Sequence, residues 1–163
     1  SKLEAIMNKS NIDREILLAV LLIDETNNYE YFSHKYNVSN DLKENLKLIN
    51  ENFIDVQKNK KFFQKDLKKN IYFFGKKHLI ALNILYFSNF KKVKLQDYLN
   101  VLNNINKIDM PKFSFDGDYL KKKGMKEGAL IGRTLKLIEK EWLDNEFQIS
   151  EKRVLKIIQA QKS

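Results

Sequence analysis

The chain has 163 residues, of which 43% are hydrophobic and 31% are charged, enough for one core or two small helical lobes. The absence of cysteine excludes disulfides and thiolate zinc sites. The longest apolar run, over residues 16–23, is far shorter than the ~20 residues that a membrane span needs, so we expect a soluble, cytoplasmic protein with no membrane partner.

Helical periodicity in the first part of the chain predicts a multi-helix body over residues 1–108. A capping box at Ser10 and Asp13 opens the first helix, which runs to about residue 24. A polar, aromatic stretch follows over 25–38.

The next helix of the body is capped by Ser39 or Asn40. Its apolar stripe comprises Leu42, Leu46, Ile49 and Phe53. Further helices are predicted at about 61–73, 76–88 and 94–107.

A boundary follows, because Pro111 disfavours helix at Met110. We expect a helical tail lobe over residues 109–163, with helices near 118–123 and 128–145 and a last helix capped by Ser150. No segment shows strand alternation, so the predicted fold class is all-α: a multi-helix body followed by a small helical lobe.

The long helix of the lobe has two distinct faces. Four apolar residues at helical spacing should face the rest of the protein: Ile131, Leu135, Ile138 and Trp142. Arg133, Lys136 and Lys140 then point elsewhere as a basic row.

The net charge of +9 is concentrated in residues 58–94, which hold 11 basic residues and one acidic residue, Asp66. Clustered lysine favours nucleic acid as a partner over a merely solvated surface, because phosphate contacts give strong, sequence-indifferent binding. Aromatic rings lie among these lysines, and those exposed could stack on unpaired bases; Phe63 and Tyr72 are the candidates. A helical stripe predicts that other side chains are core: Ile71, Phe74, His78, Leu82 and Leu85.

Four glycines follow one another at intervals of seven, four and four residues. Gly117 permits a turn into a helix, Gly124 closes that helix in a left-handed cap, Gly128 opens the next one, and Gly132 allows close packing.

With Phe113, Phe115, Leu120 and the aromatic segment 142–147, this glycine block resembles the C-terminal region of bacterial tRNA nucleotidyltransferases (CCA-adding enzymes) and the related poly(A) polymerases. Residues 14–24 and 72–82 are similar to two further helices of that family. Ser114, Tyr119 and Ala129 depart from the family pattern.

The resemblance implies that this chain holds tRNA or another structured RNA, while a separate catalytic head of the parent polypeptide uses Mg²⁺ with ATP or CTP. No cofactor is expected in this chain. Asp116 and Asp118 are better read as a turn than as a metal site, since no strand or Gly-Ser turn precedes them. His34 and His78 have no partner nearby in sequence, so we predict no catalytic and no metal-binding residue.

The predicted phosphate-binding residues form two groups. One comprises Lys68, Lys69, Lys76 and Lys77, and the other comprises Lys121, Lys122, Lys123, Lys126, Arg133, Lys136 and Lys140. Two alternatives stay open: a helix-hairpin-helix-like nucleic-acid module using the Gly124–Gly128 hairpin, and a helical protein-interaction domain in which the lysines only keep the surface solvated.

Overall fold

The computed structural model describes residues 2–7, 12–59 and 61–162. These residues form nine α-helices and no strand, so the fold is all-α as predicted. In chain order the helices are α1 (Lys2–Met7), α2 (Arg14–Leu22), α3 (Asn28–Lys35), α4 (Asn40–Lys58), α5 (Leu67–Asn89), α6 (Leu95–Lys107), α7 (Gly117–Lys122), α8 (Ala129–Asp144) and α9 (Glu151–Lys162). None of them is long and apolar enough to cross a bilayer.

The chain divides into two compact units between Met110 and Pro111, two residues beyond the boundary expected from the sequence. The first, here the body unit, contains α1 to α6, and the second, the tail unit, contains α7 to α9.

Helix α5 is the centre of the body unit, where it contacts α1, α2, α4 and α6. Apolar residues surround the axis of its second half, as expected of a helix with neighbours on several sides. Its fully buried apolar residues are Leu79, Ala81, Leu82, Ile84 and Leu85. Helices α2 and α4 add Ala19, Leu46, Ile49 and Phe53 to the same core.

Several predicted boundaries shift. Helix α2 begins at Arg14, and the carboxylate of Asp13 caps it by accepting a hydrogen bond from the Glu15 backbone at 2.9 Å. Ser10 lies outside the described residues, so that half of the predicted capping box stays a prediction. Ser39 caps α4 as expected, accepting from the Leu42 N–H at 3.3 Å.

The polar stretch over 25–38 contains the helix α3, which local periodicity did not predict. Packing against α2 and α4 buries Tyr29 and Ser33, and the Ser33 hydroxyl donates to the Tyr29 carbonyl at 2.6 Å. Tertiary contacts therefore stabilise a helix whose average hydrophobicity is low.

The two helices predicted at 61–73 and 76–88 are joined into α5, with a kink at Gly75, where φ is +82°. Residues 61–66 form turns rather than helix, and Asp66 adopts a left-handed conformation with φ of +57° before α5 begins. A positive φ of this size favours glycine, so the kink is located at Gly75 because other residues rarely adopt this conformation.

Lys2 ties α1 to the end of α5. Its ammonium donates to the carbonyls of Phe87, Phe90 and Val93 at 3.0, 2.8 and 2.7 Å. It also lies 4.5 Å from the centre of the Phe87 ring. A cation at a helix C-terminus satisfies carbonyls that have no partner within the helix, so this contact holds the chain as it leaves α5.

The tail unit has its own core, in which α8 contacts both α7 and α9. Its fully buried members are Leu120, Ile138 and Val154. Trp142 adds an aromatic cluster, with its ring 5.3 Å from Phe113 and 4.8 Å from Phe147. Ser150 caps α9 as predicted, accepting from the Arg153 N–H at 3.3 Å.

Two of the glycines predicted to shape the tail unit behave differently from each other. Gly124 is left-handed as predicted, with φ of +83°, and α7 ends in hydrogen bonds from Gly124 N–H to the Lys121 carbonyl and from Met125 N–H to the Leu120 carbonyl. This is a Schellman end, with Leu120 and Met125 buried together. The packing role predicted for Gly132 is wrong: it is exposed, and an added Cβ would meet nothing within 4 Å.

Candidate nucleic-acid interface

The basic row predicted on the long helix exists on α8. Three cationic side chains share the exposed face: Arg133, Lys136 and Lys140. At about 100° per residue they lie within about 60° of one another around the axis, and at 1.5 Å per residue they span about 10 Å. Ile131, Ile138 and Trp142 are buried on the opposite side, and Leu135 is half-buried, so the core determines which way the row faces.

No side chain of this row makes an ion pair or hydrogen bond within the part of the chain that the structure describes. The same is true of Lys122 and Lys126, which are also exposed. Five of the seven cations predicted in the tail unit therefore have no carboxylate partner among residues 2–7, 12–59 and 61–162 that a phosphate would have to displace.

The other two predicted cations of the tail unit are paired. The Nζ of Lys121 lies 2.7 Å from Oε1 of Glu127 and 3.9 Å from Oδ1 of Asp118. The Nζ of Lys123 lies 3.0 Å from Oε1 of Glu151. Hydrogen bonds to these glutamates raise the pKa of both lysines. Ion pairs between exposed side chains are weak because solvent screens them, so a phosphate can replace either carboxylate at small cost.

A groove of about 390 Å³ between α8 and α9 borders the basic row and contains cations that sequence reasoning missed. Lys140 lines it from α8, and Lys156 and Arg153 line it from α9. Lys156 has no ion-pair partner among the described residues, whereas Arg153 binds both carboxylate oxygens of Glu141, at 2.5 and 2.9 Å. The three-residue step from Arg153 to Lys156 was the signal that could have placed both on one face of α9.

The predicted basic group of the body unit is less available. Lys76 donates to the Asn106 carbonyl at 2.9 Å, and Lys77 is paired with Asp13 at 2.9 Å. That pair lowers the pKa of the Asp13 carboxyl and raises the pKa of Lys77, in each case chiefly through the hydrogen bond between them. Lys68 and Lys69 are half-buried and have interaction partners of their own.

The rings of the basic segment are mostly core, as predicted. Phe63, one of the two rings singled out for stacking, is buried, and Tyr72 is half-buried. The exposed ring is instead Phe73, which is 61% exposed and lies 5.5 Å from Tyr72. Its position between Ile71 and Phe74, off the apolar stripe, was the signal available in the sequence.

The two aspartates around Gly117 serve the turn. Asp116 is the N-cap of α7, its carboxylate accepting from the Tyr119 N–H at 2.8 Å, and Asp118 is exposed. In the described ranges no three histidine or acidic side chains are grouped so as to hold a metal ion.

The two histidines lie in different environments. His34 is exposed, whereas His78 is 5% exposed and its Nε2 lies 3.0 Å from the Asn52 amide nitrogen. Burial lowers the pKa of His78 to about 4. A neutral ring accepting a hydrogen bond from Asn52 is a packed core residue, as the sequence predicted.

The chain matches no protein-family model, no curated protein and no solved structure.

Proposed function

We propose that this chain is an RNA-holding module, the body and tail of a tRNA nucleotidyltransferase or poly(A) polymerase. The observation that carries the proposal is the basic row of α8, Arg133, Lys136 and Lys140, exposed and without carboxylate partners among the described residues. A row of exposed cations along one helix face suits the phosphates of an RNA strand, because phosphate contacts position the ligand without reading its sequence.

The folded glycine block supports the choice of partner. In the family that this block resembles, the glycines precede the long helix of a tRNA-holding lobe. Gly124 ends α7 and Gly128 is the N-cap of α8, so the block leads directly into the helix that carries the basic row. The nucleotide-adding chemistry, with its Mg²⁺ and ATP or CTP, belongs in this proposal to a head outside these residues. The lack of cysteine suits a reducing compartment such as the cytoplasm.

A double substitution tests the role of the row. We expect Lys136→Gln with Lys140→Gln to weaken tRNA binding on the order of tenfold near 0.1 M salt. Removing two phosphate contacts should also reduce the slope of log affinity against log salt by about 1.5. Fluorescence anisotropy with labelled tRNA at several salt concentrations measures both quantities.

The chain offers a matched control on α4. Lys43 and Lys47 have the same four-residue helical spacing, and neither side chain makes an ion pair among the described residues. Lys43→Gln with Lys47→Gln therefore removes the same charge from another surface and should leave affinity within about twofold, because a change in net charge alone is largely screened. Equal weakening by the two double variants would mean that overall charge, and not the row, binds tRNA.

A further inference from the structure

The body unit contains a pocket of about 440 Å³ that the basic row does not involve. Its walls come from the turn before α5, from α5 itself, from the connector that follows and from α6. Val93 and Val101 are the aliphatic residues of its lining. Pockets that hold small organic ligands have volumes of about 300–1,000 Å³ and mainly apolar walls with a few polar groups, as this one has.

Three aromatic rings line one side of the pocket in succession. The ring of Tyr86 lies 6.0 Å from Phe63 and 4.7 Å from Phe90. Aromatic side chains in the wall of a pocket can stack on a flat ligand, and a base stacked on an aromatic side chain contributes substantially to single-strand binding.

The polar groups of the pocket complement the edge of a base. Asn83 is 2% exposed, and its Nδ2 donates to the Tyr98 carbonyl at 3.1 Å. Its Oδ1 is a hydrogen-bond acceptor of a pocket-lining side chain and can receive a hydrogen bond from an exocyclic amino group. Gln64 is exposed at the opening and can donate to a ring nitrogen or a carbonyl.

The charge around the pocket suits a phosphate. Lys92 lines the opening, and Lys91 and Lys94 are exposed on the same connector. Asp97 is the one acidic residue in the lining, and its Oδ2 accepts from the Lys94 N–H at 2.9 Å. A planar ring system with hydrogen-bonding edges, joined to an anion, matches all three features.

From these observations we infer that the pocket binds one nucleobase of a single-stranded RNA segment, with the adjoining phosphate against Lys92. The inference rests on the proposed function, because it adds a second binding site, in the body unit, for the same RNA that the row on α8 contacts. It assigns Tyr86 and Phe90 to stacking and Asn83 to the edge of the base.

The test uses the full chain with AMP, CMP and ribose 5-phosphate, which keeps the sugar and phosphate but lacks the base. In NMR titrations, both nucleotides should shift amide signals of Asn83, Tyr86 and Val93, and ribose 5-phosphate should not. A single-stranded RNA hexamer containing 4-thiouridine should cross-link to Tyr86 or Phe90 under ultraviolet light.

Two variants make the result specific. Val101→Phe fills the pocket and should weaken nucleotide binding at least about tenfold, the size expected for a lost stacking contact. Lys92→Gln lies at the exposed rim, leaves the core intact and should weaken binding severalfold, with the cross-link position unchanged.

Equal shifts with ribose 5-phosphate, or no shift near Asn83, would overturn the inference. So would nucleotide binding without a cross-link from the hexamer, because the ligand would then be a free nucleotide. These outcomes are separable from failure of the proposed function, since the row on α8 is tested by tRNA affinity and the pocket by base-dependent signals in the body unit.

Discussion

His78 is a buried ionisable side chain of the body unit, and its pKa makes the unit sensitive to acid. The unfolded chain has a histidine pKa near 6.5, against about 4 in the folded state. Between these values the unfolded state binds more protons, so the stability contributed by the neutral ring is complete above pH 6.5 and is lost as pH falls towards 4. The ring also lines a depression of about 190 Å³, where solvent screens part of this effect.

The unfolding free energy of the unmodified chain should fall as pH is lowered from 7 to 4. We expect this fall to be smaller in His78→Gln, by on the order of 2 kcal/mol. Glutamine keeps an acceptor for Asn52 but does not titrate. Urea unfolding followed by circular dichroism measures the difference, and His34→Gln, at the exposed histidine, should retain the pH dependence of the unmodified chain. If both variants lose stability equally on acidification, His78 is not the titrating group.

Individual side chains show where sequence reasoning succeeds and where it stops. The periodicity that placed His78 and Leu82 on an apolar stripe predicted their burial, because a helix repeats its faces locally. The pairing of Lys77 with Asp13 joins residues 64 positions apart, and no local pattern encodes it. The same limit applies to Phe63, which lies in the turns before α5 and packs against Tyr86, 23 positions away in the sequence.

At the scale of elements, Gly124 and Gly132 should respond oppositely to the same substitution. Gly124→Ala places a side chain at φ of +83° and brings its Cβ within 3.0 Å of Lys162 Nζ, so we expect about 1 kcal/mol of destabilisation. Gly132→Ala lies within α8 with open space around it and should stabilise the tail unit by about 0.5–1 kcal/mol.

Trp142 is the one tryptophan of the chain and is buried in the tail unit, so its fluorescence during urea unfolding reports on this unit. If the urea midpoints of Gly124→Ala and Gly132→Ala shift in the same direction, the end of α7 does not depend on the left-handed glycine.

Helix boundaries could be predicted where a local signal marks them. Ser39, Gly124 and Ser150 each end or begin a helix through hydrogen bonds to nearby backbone, and all three were foreseen. Helix α3 was missed because its stability comes from α2 and α4, and the kink at Gly75 was read as a break between two helices. Glycine indicates an unusual φ but does not say whether the helix continues beyond it.

At the scale of the whole molecule, the charge pattern of the sequence predicted a polyanion partner but not which cations are available. The richest basic segment, residues 58–94, includes Lys76 and Lys77, which the fold engages in hydrogen bonds. The tail unit, with 12 basic and 8 acidic residues, holds the exposed row on α8. The body-unit pocket lined by Tyr86 and Phe90 was not predicted. Its lining comes from the turn before α5, from α5, from α6 and from the connector between these two helices, and no local pattern brings such distant residues together.

The central claim is that this chain holds structured RNA, and the most direct measurement compares its affinity for tRNA and for duplex DNA of similar charge at 50 and 200 mM salt. We expect tRNA to bind more tightly at both concentrations, with an affinity that falls as salt rises because phosphate contacts release counterions. Equal affinity for the two ligands would favour a general nucleic-acid module of the helix-hairpin-helix kind, and absence of binding to either would contradict the account.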